Sequence, residues 1–151
     1  MRRVMDDGKK EFVSLREELK LEEDYLKLEQ QRKDFTYNIT ISPTLNNMPI
    51  DFPPLLLQPI LENAIRHGLT STVANPHITI HITKEESNLI VQIIDNGHHW
   101  DVDKLNEGTG LSLVNRRINL YNEKLAPLHI SMNITNANGT ISTFTFKNWL
   151  T

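Results

Sequence analysis

The chain has 151 residues, with 16 Lys and Arg against 19 Asp and Glu for a formal net charge of −3, enough for one well-buried domain and too few for two comfortable ones. The near balance, with no basic run longer than a pair, argues against a nucleic-acid partner, whose binding draws on phosphate neutralisation. The absence of cysteine excludes disulfide scaffolds, thiolate metal sites and cysteine nucleophiles and fits a reducing compartment, while apolar runs such as Leu55 to Leu57 are far too short for a membrane span.

The N-terminus is basic but lacks the apolar core of a signal peptide. From Lys9 to Lys33 the chain is nearly free of Gly and Pro. Phe12, Leu15, Leu19 and Leu26 recur at heptad-like spacing among charges, which predicts a long amphipathic helix. Glu22 falls where a strict seam wants an apolar residue. Two readings stay open: a helix packing on its own domain, or part of a dimer seam that continues upstream.

From Phe35 the period changes to two. Phe35, Tyr37, Ile39 and Ile41 alternate with Thr36, Asn38, Thr40 and Ser42, which predicts a half-buried strand. Pro43 to Pro54 reads as loop. An apolar stripe at Leu57, Ile60, Leu61, Ala64 and Ile65 predicts a helix starting near Pro59, with Gly68 where a left-handed cap would sit. Strands follow at Ile78/Ile80/Ile82 and Leu89 to Ile94. After a loop from Gly97 to Gly108 comes a helix with Leu111, Val114, Ile118 and Tyr121 on one face. Strands at Leu128/Ile130/Met132/Ile134 and Thr140 to Phe146 should form a hairpin about Asn138-Gly139. The expected fold is an α/β (α+β) two-layer sandwich, a mixed sheet covered on one face by helices and preceded by a long N-terminal helix. The one plausible boundary lies near Asp34.

Three segments carry chemistry. On the Leu61 to Gly68 helix, Asn63, Arg66 and His67 share the side opposite the apolar face; Asn offers an oxygen suited to Mg²⁺, and Arg and His can meet phosphate. At Ile93-Ile94-Asp95-Asn96-Gly97 an apolar strand ends in a carboxylate able to accept an adenine amine hydrogen, beside a glycine that permits close approach. Gly108-Thr109-Gly110-Leu111 opens a helix whose free N–H groups suit phosphates. Singly, each is also explained as a solvated helix face, a turn, or glycine punctuation. His77 and His81 alternate with Ile and are expected on the solvent face of the sheet. Asp101, Asp103 and Glu107 lack the spacing of a calcium loop, and His98-His99 lack an obvious third metal ligand. Trp100 reads as a packing anchor or a cover for a base.

The order and spacing of these segments, with Gly139-Thr140 opening the last strand, resemble the Bergerat-type ATP-binding fold of histidine kinases, gyrase, Hsp90 and MutL. Within it, Tyr25-Leu26-Lys27-Leu28-Glu29-Gln30-Gln31-Arg32 and the run from Pro53 to Gly68 are similar to the LytS-type sensor histidine kinases, over about residues 15 to 147. The resemblance implies residues 1–34 as the end of a dimerisation or linker helix and 35–151 as the ATP-binding catalytic domain. It implies Asn63 as the Mg²⁺ ligand, Arg66 and His67 as phosphate or ribose contacts, and Glu62 as a weaker candidate for a base. Asp95 would read adenine, Gly97 floor the base, Thr140 support the water network at Asp95, and Gly108, Gly110 and Leu111 shape the phosphate cradle.

The implied reaction moves the γ-phosphoryl group of ATP to a histidine and then to a response regulator. None of the six histidines precedes His67, so the acceptor is expected on the protein's own helix upstream of this fragment, in a homodimeric parent anchored in a membrane, the fragment itself being soluble and cytoplasmic. The chain departs from the family pattern at His99, where a second glycine is usual, and at Leu113, where Asn is usual; Arg117 keeps the later Arg. A non-catalytic signalling module of the same fold is therefore one alternative. An ATP hydrolase of the gyrase or MutL branch is another, although Pro59 stands where that branch needs a carboxylate.

Overall fold

The computed structural model describes residues 12–99 and 110–150. Helix α1 (Leu15–Glu29) follows a two-residue strand, β1 (Val13–Ser14). The helix therefore starts later than the Leu/Glu/Lys pattern predicts. Ser14 stops it, because its side chain accepts from the Glu17 N–H while the Glu17 carboxylate accepts from the Ser14 N–H, at 3.0 and 3.1 Å. This reciprocal cap fixes the first turn. The extended residues ahead of it pair with β3 (Asp51–Phe52), antiparallel, inside the stretch expected to be loop.

The main sheet contains β2 (Thr36–Ile41), β4 (His77–Glu85), β5 (Asn88–Asp95), β6 (His129–Ala137) and β7 (Gly139–Lys147). Their spatial order is β2-β4-β5-β7-β6. Only the β2–β4 pair is parallel, so the sheet is mixed as expected. Ile78, Ile80, Ile82, Leu89, Val91, Ile93, Phe144 and Phe146 are buried on one face, where the apolar stripes of α1, α2 (Gln58–Asn63) and α3 (Gly110–Leu125) meet them. On the other face, half-buried His77 and His81 lie beside the hydroxyls of Thr36 and Thr40 on the neighbouring strand.

The stripe of α1 faces its own domain. Leu15, Leu19 and Leu26 join the buried apolar cluster, and Glu22 occupies the same stripe at 0% exposure. Leu21 and Leu28 project outward on the exposed side. Trp149 closes the structure at the other end: its indole N–H donates to the Asp51 carbonyl at 2.7 Å, and its ring meets Phe146 and Phe12 with centroids 5.2 and 6.3 Å apart.

Candidate functional site

Helix α2 starts with Pro59 in its first turn, where a missing N–H costs nothing. From Ala64 to Gly68 it widens into a π turn, in which the Leu69 N–H reaches back to the Ala64 carbonyl at 2.8 Å. Such widenings concentrate at functional sites. Lys33 Nζ donates to the Ile65 carbonyl at 2.7 Å, satisfying an acceptor that the irregular ladder exposes.

The three polar residues read as one helix side are separated by burial. Asn63 is 7% exposed, and its Nδ2 has no hydrogen-bond partner among the described residues. Arg66 and His67 are exposed. Glu62 is half-buried, with Gln58 Nε2 at 3.5 Å from its Oε1. A buried amide with an unmet donor is a costly arrangement. It suits a polar ligand arriving from outside.

Gly68 does not serve as the expected left-handed cap, for its φ is not positive. Its hydrogen is required for another reason. A Cβ there would lie 2.9 Å from Asp95 Oδ1. Two further glycines close on the same aspartate and its turn. A Cβ on Gly97 would fall 2.0 Å from the Gly68 carbonyl oxygen, and one on Gly139, whose φ is +138°, 1.9 Å from the Asp95 carbonyl oxygen. Asp95 itself is 2% exposed and accepts the Gly97 N–H at 2.9 Å through Oδ1. The Gly68 carbonyl accepts the His98 N–H at 2.8 Å, tying the turn after β5 to the end of the π turn. Asn96 braces this turn: its Oδ1 accepts the His77 N–H at 2.8 Å and its Nδ2 donates to the Asn75 carbonyl at 2.9 Å.

Thr140 stands opposite Asp95 in the β5–β7 register. It is buried, and its hydroxyl donates to Asn136 Oδ1 at 3.3 Å. Gly110 brings the start of α3 against α2, since a Cβ there would meet Pro59 Cβ at 3.1 Å. The Leu111 side chain is in the core, leaving only its backbone in the first turn of α3. Gly108, Trp100, Asp101, Asp103 and Glu107 lie outside the described residues. His98 and His99 are engaged in different directions, with Thr72 Oγ1 at 2.7 Å and the Ala137 carbonyl at 2.8 Å. Leu113 is exposed.

Sequence reasoning missed a carboxyl pair one helical turn apart on α1. Glu18 and Glu22 are 1% and 0% exposed. Both Glu18 oxygens lie within reach of the Leu55 N–H, at 3.1 and 3.3 Å. Neither Glu22 oxygen receives a hydrogen bond among the described residues. Burial first, then the closeness and like charge of the Glu18 carboxyl, push Glu22 up to about 9, with Glu62 adding to the repulsion. Burial also raises Glu18, opposed by the Leu55 N–H that it accepts. The pair therefore favours holding a proton at neutral pH.

Residues 51–150 match the family described as histidine kinase-, DNA gyrase B-, and HSP90-like ATPase. The chain is 31% identical over 145 residues to the sensor protein LytS of Oceanobacillus iheyensis, covering 86% of this chain and 25% of that protein. To LytS of Bacillus subtilis it is 30% identical over 136 residues, 82% of this chain and 23% of that one. It is also 32% identical over 110 residues to the sensor histidine kinase BtsS of Escherichia coli K12, covering 72% and 19%. The chain thus spans a quarter or less of these relatives. Among solved structures, the histidine kinase domain of the Erythrobacter litoralis EL346 blue-light activated histidine kinase superposes with a TM-score of 0.69 at 20% identity, covering 99% of this chain and 65% of that one. The catalytic domain of histidine kinase ThkA does so with a TM-score of 0.61 at 16% identity, covering 90% and 96%. These two show a shared fold. The family match runs from Asp51 in β3 to Leu150 and includes α2 and β5, which carry Asn63 and Asp95; on that ground the chain belongs to the histidine kinase-, DNA gyrase B- and HSP90-like ATPase family.

Proposed function

We propose that this chain is the ATP-binding catalytic part of a LytS-type two-component sensor kinase, transferring the γ-phosphoryl group of ATP to a histidine on a helix upstream of the region described. A response-regulator aspartate would then receive it. The observation that carries the reading is Asp95, a carboxylate 2% exposed beneath Gly68, Gly97 and Gly139, near a helix that ends in buried Asn63. A carboxylate so enclosed discriminates sharply for a ligand bearing hydrogen-bond donors, such as the adenine amine, because the wrong base leaves the charge unmet.

Asn63 fits a nucleotide bound through Mg²⁺. Its side-chain oxygen suits a hard cation and its unmet Nδ2 suits a phosphate oxygen. Bound nucleotide supplies the phosphoryl group, and the cation neutralises its charge. This chain's share is positioning. Arg66 and His67, exposed on the π turn, would meet phosphate or ribose; Glu62 ranks below Asn63, since neutral histidine is already a competent nucleophile. Gly108, Gly110 and the Leu111 backbone would shape the phosphate cradle, and Thr140 would order water beside Asp95.

We further assign residues 1–34, with α1 as their described helix, to the connector and 35–151 to the nucleotide-binding domain, whose core the apolar stripe of α1 joins. Leu21 and Leu28, exposed one heptad apart, support a homodimeric parent. Among the described residues no helix is long and apolar enough to cross a membrane; a membrane-anchored parent with this part in the cytoplasm rests on the resemblance to LytS sensors. The test is phosphotransfer from γ-labelled ATP to a longer chain that restores the upstream helix. Label on a histidine, lost in Asn63→Ala with melting unchanged, is the expected result. Phosphate release without transfer would favour a hydrolase. A melting temperature indifferent to millimolar Mg·ATP, where binding at 100 times Kd adds about 2.7 kcal/mol, would overturn nucleotide binding itself; Asp95→Asn is the control.

A further inference from the structure

Leu55 has φ +60°, a left-handed conformation that costs a non-glycine residue about 1–2 kcal/mol. Its side chain does not explain the conformation, for it is 42% exposed. Its backbone does. The N–H donates to the buried Glu18 carboxylate of α1, 37 residues away, and the carbonyl accepts from Arg117 of α3 at 3.0 Å, 62 residues away. A strained residue persists where its surroundings over-determine it, and such residues gather at functional positions.

The position of this residue makes the strain informative. Leu55 lies just before α2, the helix that carries Asn63. Arg117 lies on α3, whose first residue, Gly110, abuts Pro59 at the start of α2. The backbone of one residue is thus held by side chains of two helices, α1 and α3. Glu18 cannot be a solvent-exposed ornament at 1% exposure; a buried carboxylate without its hydrogen bonds is strongly unfavourable.

We propose that Glu18 and Arg117 are positioning residues for the nucleotide site, acting through Leu55 to fix α2, and with it Asn63, against the first turn of α3. The inference rests on the nucleotide-binding reading above. It also gives α1 a direct mechanical link to that site, so by linkage nucleotide binding and the placement of α1 must influence one another.

The test uses the 151-residue chain, with Mg·ADP affinity measured by calorimetry. Glu18→Met removes the acceptor at similar volume, and Glu18→Gln keeps an oxygen for the Leu55 N–H. The expected result is a three- to tenfold weaker Kd for Glu18→Met, return to within about twofold for Glu18→Gln, and a similar loss for Arg117→Met. The double variant Glu18→Met/Arg117→Met should be no weaker than the worse single one, because both act on one unit. Additive losses, or an unchanged Kd in Arg117→Met and Glu18→Met, overturn the proposal while leaving nucleotide binding intact. If Glu18→Met fails to fold, Arg117→Met decides by the same measure. If the unaltered chain binds no nucleotide, the functional reading falls separately, and hydrogen exchange decides: Arg117→Met should deprotect the amides of α2 and of the first half of α3, and unchanged protection overturns the inference.

Discussion

Gly68 is a glycine because of Asp95: a single methyl group on Gly68 would come within 2.9 Å of the Asp95 Oδ1 atom. The crowding there is with a side chain that can turn. At Gly97 it is with backbone, since a Cβ would sit 2.0 Å from the Gly68 carbonyl oxygen. The two substitutions should therefore differ in kind. Gly68→Ala should displace the carboxylate, weaken nucleotide affinity at least tenfold and cost about 1 kcal/mol of stability, whereas Gly97→Ala should separate β5 from the π turn and cost about 3 kcal/mol or more. Urea melts with and without Mg·ADP distinguish them. A reversed order of stability would contradict the contact described.

The cap on α1 gives a smaller, cleaner prediction. Ser14 and Glu17 exchange two hydrogen bonds at the point where β1 turns into the helix. Ser14→Ala should lower stability by about 1 kcal/mol, and Glu17→Ala by less, because the Ser14 N–H it frees can reach water. The Glu17 carboxyl is held below its ordinary value by the Ser14 N–H and hydroxyl side, so acidification through the carboxylate range should erase the Glu17 contribution. Melts of the three chains at pH 7 and pH 3 would check both statements.

Trp149 should be the largest single contributor at the C-terminal end. It is 1% exposed, packs on Phe146 and Phe12, and donates to the Asp51 carbonyl that belongs to β3. Trp149→Ala should cost about 3–5 kcal/mol. Trp149→Phe should lose less, by keeping part of the packing while leaving the carbonyl without its indole donor. A loss below about 1 kcal/mol for the alanine variant would mean that this end is not closed as described.

The strands were legible because each repeats its pattern several times. In β4 and β7, Ile78, Ile80, Ile82, Phe144 and Phe146 alternate with polar residues and are buried as expected, and the β6–β7 hairpin turns at Asn138. Two-residue strands such as Val13–Ser14 and Asp51–Phe52 offer no period to read. The Lys9 to Phe12 stretch contains no breaker, so only the Ser14 and Glu17 pairing could mark where α1 starts. Asp95 and Asn63 stood out by chemistry, but the reason for Gly68 lies in a contact with a strand far along the chain, which spacing cannot reveal. The mismatch of Glu22 with an apolar seam was visible in sequence; that it is wholly buried beside Glu18 follows from packing alone.

That buried pair makes the stability of the chain fall with rising pH. Glu22 is raised from 4.5 to about 9 by burial first, then by the closeness and charge of the Glu18 carboxyl and the charge of Glu62; Glu18 is raised as well. The unfolded chain gives up the Glu22 proton near pH 4.5, while the folded chain keeps it until about pH 9. Between those values the folded state binds more protons, so each step up in pH favours unfolding. The contribution is fully present below pH 4.5 and lost as pH rises through about 9. Glu22→Gln removes this titration and leaves an amide N–H that can donate to Glu18 at every pH. Its stability should exceed that of the unaltered chain by a margin that widens from pH 5 to pH 9, measured by urea melts in matched buffers. Parallel pH profiles for the two chains would show that Glu22 is ionised in the folded state and that its carboxylate has found a donor.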